Sequence, residues 1–291
     1  MGEAAHGALA RIDKPVDDLL AARAGLSDIT MRLSSLIKHA LPSAAVKALD
    51  WRKRFEAAGV PPAQSIAYSL SRAARADLSN SRIEQLPPEL RRRIPLAVDA
   101  GANRGQWLSA LRRFARIDRA EVFEPNPEAF NALSAMFATD EGIRLHECAL
   151  GAAPARMALN VTASSDLASL LNPAHALRAN YPGGSRITGS LPVQVVRLDD
   201  VLGEDDHVDL LKIDVQGFEK NVLDGARRTL ARTRAIIIEM NFVRHYEGEL
   251  SFGPLYDRLI DELDFEFWDI SPPHRNTDGR ALWADAVFVR V

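Results

Sequence analysis

The chain of 291 residues holds one cysteine, Cys148. A lone thiol excludes any intrachain disulfide and suits a reducing compartment. Charge of one sign is also lacking. The 36 Lys and Arg nearly balance the 39 Asp and Glu, for a net charge of −3. That balance removes the global electrostatic case for a nucleic-acid partner. No apolar run approaches the roughly 18 residues that a membrane-spanning helix needs. The start of the chain carries Glu3, Asp13, Asp17 and Asp18 without an apolar stretch, so no secretion signal is read there. No His-rich spacing points to a metal centre. The expectation is a cytoplasmic protein, or one peripheral to the inner face of the membrane.

What is present divides into two regimes. Residues 1 to 93 are rich in Ala, Leu, Arg and Ser and contain no convincing strand. Helices are expected there at Met31–Ala40, Pro42–Ala58 and Pro62–Ala76, as a helical N-terminal extension. Within 31–56 the basic residues Arg32, Lys38, Lys47, Arg52, Lys53 and Arg54 outnumber the acids. Such a segment can cap a domain, form a homodimer contact, or lie on an anionic membrane.

From Ile94 onward, short apolar strands alternate with helical stretches. Strands are expected at Leu96–Asp99, Ala120–Glu124, Ile143–Glu147, Val193–Leu198, Val208–Asp214, Ala235–Met240, Phe265–Ile270 and Trp283–Arg290. Helices fit Arg104–Ala115, Pro127–Phe137, Glu219–Leu230 and Phe252–Leu263. This alternation predicts an α/β fold with a doubly wound parallel sheet over residues 94–291. No helix separates the last two strands, so they should pair antiparallel. The segment Val161–Ser190 lacks periodicity and is the longest candidate for a functional loop.

The most informative run is Leu96-Ala97-Val98-Asp99-Ala100-Gly101-Ala102-Asn103-Arg104-Gly105. An apolar strand ends in an acid, and a turn with two glycines leads into a helix. Such turns present backbone N–H groups and a helix N-terminus to a polar ligand. A second apolar run ends at Glu124, 25 residues after Asp99. Strand, glycine turn, helix, strand and acid form the logic of an adenosine-cofactor site, with Glu124 on the ribose diol. The spacing DxGxxxG favours S-adenosylmethionine over a dinucleotide. A nicotinamide-dependent reductase would call for GxGxxG and a Tyr-x-x-x-Lys pair, and neither is found. A nucleic-acid methyltransferase would carry an Asn/Asp-Pro-Pro-aromatic block, where this chain has Asp214-Val215-Gln216-Gly217.

VDAGANRGQW (98–107), VFEPNPEAF (122–130), CALG (148–151), VVRLDDVL (195–202), LLKIDVQGFEKNVLDGA (210–226) and IIIEM (236–240) follow in order. Together they resemble the FkbM family of S-adenosylmethionine-dependent methyltransferases. The resemblance covers residues 94–291. It implies a class I methyltransferase (Rossmann-like) fold, with a seven-stranded sheet whose last strand is antiparallel. It also implies O-methylation of a hydroxyl on a sugar, a glycolipid or polysaccharide, or a glycosylated natural product. One departure stands out: the family reads Asp-x-Glu-Gly where this chain has Gln216. That change puts a metal-binding or base role at this position in doubt.

On this reading the cofactor set is Asp99, Gly101, Ala102, Asn103, Gly105, Glu124, Pro125, Asn126, Cys148, Ala149 and Asp214. Asp99 would meet the cofactor's amino group, and Glu147-Cys148-Ala149 lie where the fold places adenine. Cys148 reads as a packing residue, since nothing nearby would stabilise a thiolate. Leu210, Lys212 and Asp214 share one strand face. A buried lysine needs a partner, which Asp214 or Glu239 can supply. Asp214 is the first candidate for the base that takes the acceptor's proton, and His245 the second. A structural Lys212–Asp214 brace is the competing reading. No metal set is expected, although Asp214 and Glu239 together could hold a divalent cation. Ser164, Ser165 and Ser169 are candidates to bind substrate hydroxyls. A cofactor-binding scaffold without transfer activity, and transfer to a non-sugar acceptor, stay open as alternatives.

Overall fold

The computed structural model describes residues 81–290. The three expected N-terminal helices and the basic stretch 31–56 lie outside the described residues. Eleven strands form among the described residues: β1 (Arg93–Ala100), β2 (Arg116–Phe123), β3 (Ile143–His146), β4 (Ala149–Leu150), β5 (Ala155–Thr162), β6 (Ile187–Val196), β7 (Val208–Ile213), β8 (Thr233–Asn241), β9 (Glu266–Ile270), β10 (His274–Arg275) and β11 (Ala281–Val289). The large sheet runs β3-β2-β1-β7-β8-β11, with β9 and the two-residue β10 both paired to β11. Neighbouring strands from β3 through β8 are parallel, and β11 is antiparallel to both β8 and β9. This is the expected α/β fold, a doubly wound sheet of seven main strands closed by an antiparallel one.

One expected strand belongs elsewhere. Val193–Leu198 does not join the large sheet. Residues 193–196 fall in β6, which pairs antiparallel with β5 and parallel with β4 in a separate three-stranded sheet, and Leu198 begins a short helix. Burial explains the placement. In β7 all six residues are buried, as a strand covered on two faces requires, whereas Val193 and Val195 are the only buried residues of β6. The segment Val161–Ser190, expected as a loop, contributes to both β5 and β6 and carries a short helix at His175–Asn180.

The helices are shorter than the periodicity suggests. They comprise α1 (Gln106–Leu111), α2 (Pro127–Met136), α3 (His175–Asn180), α4 (Leu198–Val201), α5 (Glu219–Asp224), α6 (Arg227–Leu230) and α7 (Phe252–Asp257). The helix expected at Glu219–Leu230 is two, α5 and α6, divided at Gly225. A Cβ on Gly225 would stand 1.9 Å from the Gly151 carbonyl oxygen, so backbone packs on backbone there. The helix expected at Phe252–Leu263 finishes as a π-helical turn over Arg258–Glu262.

Each face of the sheet buries its own core. On one side Val98, Leu211, Ile213, Ile236 and Ile238 pack with Val222, Leu223, Leu255 and Leu259. On the other, Ala97, Val122, Leu210, Ala235, Ile237 and Val287 pack with Trp107, Leu108 and Leu111 of α1. Ile83, Leu86 and Leu90, N-terminal to the boundary expected at residue 93, are buried in this same cluster. Burying each such aliphatic side chain contributes about 1.5–3 kcal/mol. The second face changes character toward one rim. Strand register sets Asp99 beside Lys212, Lys212 beside Ile237, and Glu239 beside Asp285. Apolar rows therefore give way to charged ones on a single face, at the carboxyl ends of the parallel strands.

Candidate active site

β1 ends at Ala100 and Gly101 follows with φ +82°. A Cβ there would stand 1.9 Å from the Asp214 carbonyl oxygen, so a glycine lets the turn cross the tip of β7. The N–H groups of Gly101 and Ala102 both donate to Phe123 O, which ties the tips of β1 and β2 together. Just beyond, the Asn103 N–H donates to Glu124 Oε2 and the Asn126 N–H to Oε1, each at 2.7 Å. Asn126 also caps α2 by accepting from the Glu128 N–H. Glu124 is thus fixed by two backbone donors, with further lone pairs on each oxygen still to offer. Burial pushes its carboxyl up to about 7, although those two hydrogen bonds pull the other way.

Glu124 lines a cavity of about 620 Å³, within the ~300–1,000 Å³ usual for small-molecule sites. Of the residues expected from the sequence, Gly101, Ala102, Asn103, Pro125, Cys148, Ala149, Lys212, Asp214, Glu239 and His245 line it as well. Ser164, Ser165 and Ser169 do too. Asp99, Gly105 and Asn126 are not in the lining. Asp99 is fully buried, with Lys212 Nζ 3.8 Å away and, among the described residues, no hydrogen-bond donor on either oxygen. Burial pushes Asp99 up to about 6 against the pull of Lys212. Gly105 caps α1, and Asn126 acts through Glu124 and α2.

Lys212 is buried and its ammonium lies 3.1 Å from Asp214 Oδ2. Burial works against that charge, but Asp214, Asp99 and Asp285 outweigh it and hold the pKa above the ordinary lysine value. Gln216 supplies the second donor to Asp214. Its Nε2 lies 2.8 Å from Asp214 Oδ1 and 3.5 Å from Glu239 Oε2, while its Oε1 accepts from the Tyr246 hydroxyl at 2.8 Å. The residue that sets this chain apart in sequence is therefore an amide bridge between two carboxylates. Ser169 Oγ donates to the Gln216 carbonyl at 2.6 Å and fastens the 164–169 segment over the tip of β7.

Glu239 is buried, and its pKa is raised well above the usual carboxylate range by that burial and then by Asp214, Glu219 and Asp285. Asp285 sits opposite it on β11 and is gripped by Arg82, at 2.7 Å from Nε and 2.5 Å from Nη2. Burial likewise raises Asp285, with Arg82 opposing. His245 is 3% exposed and its Nε2 has no hydrogen-bond partner among the described residues. Burial and the neighbouring His274 push its imidazole down to about 4, so it stands neutral at pH 7. Cys148 agrees with the packing reading, since burial pushes its thiol up to about 11.

Several lining residues were not legible from local spacing. The Trp107 indole N–H is buried without an acceptor among the described residues, in a ring 6.0 Å from Lys212 Nζ. Arg82, Tyr181, His274, Trp283 and Asp285 reach the cavity from four separated stretches of chain. Only the pairing of β11 with β8 brings Trp283 and Asp285 to the rim, and no sequence spacing encodes that.

The family model described as the methyltransferase FkbM domain matches residues 99–267. The protein named 2-O-methyltransferase NoeI from Sinorhizobium fredii (strain NBRC 101917 / NGR234) is 30% identical over 176 residues, covering 57% of this chain and 71% of that protein. Methyltransferase sdnD from Sordaria araneosa is 30% identical over 219 residues, covering 67% of this chain and 79% of that protein. A crystal structure of methyltransferase FkbM from Methylobacillus flagellatus KT aligns at 16% identity and TM-score 0.45, over 87% of this chain and 60% of that one.

Proposed function

The chain belongs to the methyltransferase FkbM domain family, and from that premise we propose that it is an S-adenosylmethionine-dependent O-methyltransferase. Its acceptor is a hydroxyl on a sugar, a glycolipid or polysaccharide, or a glycosylated natural product. The relative named as a 2-O-methyltransferase supports the oxygen acceptor. One observation carries the reading: Glu124, fixed by two backbone donors, and Asp214, fixed by Lys212 and Gln216, line the same cavity.

The residues present fit the cofactor. Glu124 offers paired oxygens to a ribose diol, and the unpartnered Trp107 N–H offers a buried donor to a carboxylate. Phe123, Cys148 and Leu150 give the apolar lining an adenine needs. Asp99, Asp214 and Asp285 stand against two cations, Lys212 and Arg82, an imbalance that favours a positively charged ligand. Bound S-adenosylmethionine supplies a methyl group already activated on a positively charged sulfur. The protein must then hold the acceptor oxygen in line, keep water out and remove one proton.

Asp214 takes that proton. Of Asp99, Asp214, Glu239 and Asp285, it is the one with its side chain substantially open to the cavity, at 31% exposure. Lys212 and Gln216 each occupy one lone pair of its oxygens and leave others for a hydroxyl. Lys212 holds Asp214 in position and balances the carboxylate charge. Tyr246 and Ser169 hold Gln216, and so orient the amide that orients Asp214.

The test is calorimetric titration with S-adenosylmethionine, its demethylated product and NADH, followed by a methyl-transfer assay on hydroxyl acceptors. The expected result is binding of the first two and transfer to oxygen. Binding of NADH alone would overturn the reading. Tight cofactor binding without transfer to any acceptor would leave a scaffold.

A further inference from the structure

Four rings of the cavity lining have no part in the chemistry above. His274 lies nearly parallel to Trp283, at 5.1 Å between centroids and 14° between planes. It lies nearly parallel to Tyr181 as well, at 6.2 Å and 20°. The Trp283 indole N–H donates to the Tyr181 hydroxyl at 3.1 Å, which locks the array. His245 meets Tyr181 edge-on, at 6.0 Å and 79°. All four line the cavity together with Asp214 and Glu239. His245 adds a second, independent mark of a ligand: a ring nitrogen in a side chain 97% buried, with no partner among the described residues. Its loop is pinned on both sides, since its N–H donates to Glu249 Oε1 and its carbonyl accepts from the Ala174 N–H. The orphaned nitrogen is therefore held in place, and a buried polar atom left unmatched is costly.

We propose that Tyr181, His274 and Trp283, with His245 at their edge, form the acceptor subsite, and that it takes a pyranose-type ring. One C–H face of the ring lies on the aromatic array, and its hydroxyls satisfy His245 Nε2 and the carboxylates of Asp214 and Glu239. The assignment rests on the methyltransferase reading and adds to it the residues that choose the acceptor. A flat phenol would stack equally well but brings one or two hydroxyls to this lining. It would leave His245 Nε2 and part of the carboxylate cluster unmatched, and sites built to hydrogen-bond hydroxyls reject ligands that lack them. A polyol ring matches both the apolar array and the polar cluster. Strand geometry supports this, because Trp283 and Asp285 share one face of β11, opposite Asn241 and Glu239.

The experiment uses the full chain loaded with S-adenosylhomocysteine. Saturation-transfer NMR and titration with methyl β-D-glucopyranoside and related methyl pyranosides are run beside catechol. The expected result is transfer to pyranoside C–H protons, with affinity falling about tenfold in Trp283→Ala, the scale of one lost aromatic stacking contact. His245→Ala should weaken the pyranosides by a similar factor. Trp268→Ala, at an exposed tryptophan outside the cavity lining, should change nothing. The affinity for S-adenosylhomocysteine should hold in all three. Should Trp283→Ala fail to fold, Trp283→Phe keeps a ring and should retain pyranoside binding, while His245→Asn still reports the orphaned nitrogen. Equal pyranoside affinity in the wild type, Trp283→Ala and the two His245 variants would overturn the proposal, as would preference for catechol. A wild type that binds S-adenosylhomocysteine but no pyranoside overturns the subsite alone. A wild type that binds neither overturns the methyltransferase reading, and the subsite with it.

Discussion

Glu124 and Asp214 differ in how the protein treats a carboxylate, and the difference is measurable. Burial lifts Glu124 from an ordinary 4.5 to about 7, so below neutrality it holds a proton. The ionised form accepts better from a ribose diol, so cofactor affinity should rise between about pH 5.5 and about pH 8. Calorimetry across that range checks this, and Glu124→Gln should flatten the profile. The folding linkage has the opposite sign. Glu124, Glu219 and Glu249 are all lifted to about 7, so the folded state binds protons that the unfolded chain releases near 4.5. Cofactor-free protein should therefore lose stability as pH rises from about 4.5 through about 7, seen as a falling Tm. Asp214→Asn is expected to lower kcat by about 100-fold or more while leaving cofactor affinity nearly unchanged. Parallel loss of both would assign Asp214 to bracing the sheet. At this scale the sequence was readable where a residue acts through its own strand. Asp214, Lys212 and Glu124 end strands, and the rim gathers strand ends. Asp99 is the instructive exception. It lies one residue before the end of β1, yet it is fully buried and absent from the lining, with Lys212 Nζ 3.8 Å away, a placement that no spacing reports.

Elements were legible in proportion to how fully they are buried. β7 and β8, buried along almost their whole length, are legible from the apolar stretches Leu210-Leu211 and Ala235-Ile236-Ile237-Ile238. β5 and β6 present one face to solvent, and β6 carries Gly189, Ser190 and Pro192, so their pairing was hidden inside an apparently irregular segment. Their register, Ala155 with Val195 through Asn160 with Ser190, is a long-range fact. The break between α5 and α6 was hidden for a different reason. Nothing in the periodicity announces that Gly225 must meet the backbone of Gly151. Gly225→Ala forces those backbones apart and should cost about 3 kcal/mol in chemical denaturation, the upper range for overpacking. A cost under about 1 kcal/mol would mean that the α5–α6 junction yields easily.

The whole molecule is organised by one sheet face that changes from apolar to charged along the strands. Its apolar half is what α1, Ile83, Leu86 and Leu90 cover. The fold class and the position of the cavity followed from strand and helix alternation, because strand tips in such sheets collect ligands. The reach of Arg82 into the site did not follow, since it lies upstream of every strand among the described residues. Arg82→Ala would leave Asp285 buried and unpaired and should cost about 3 kcal/mol of stability. Asp285→Asn in that background should restore part of the loss, as urea titration of the single and double variants would reveal.

Because β11 runs against its neighbours, its first half meets the rim and its last residue, Val289, pairs with Ala235 near the start of β8. A peptide joined after Arg290 would emerge on the side remote from the cavity mouth. Tethering the protein to a bead or an electrode by that end should leave the entrance open to bulky polymeric acceptors. Attachment through the surface around His274 should obstruct them.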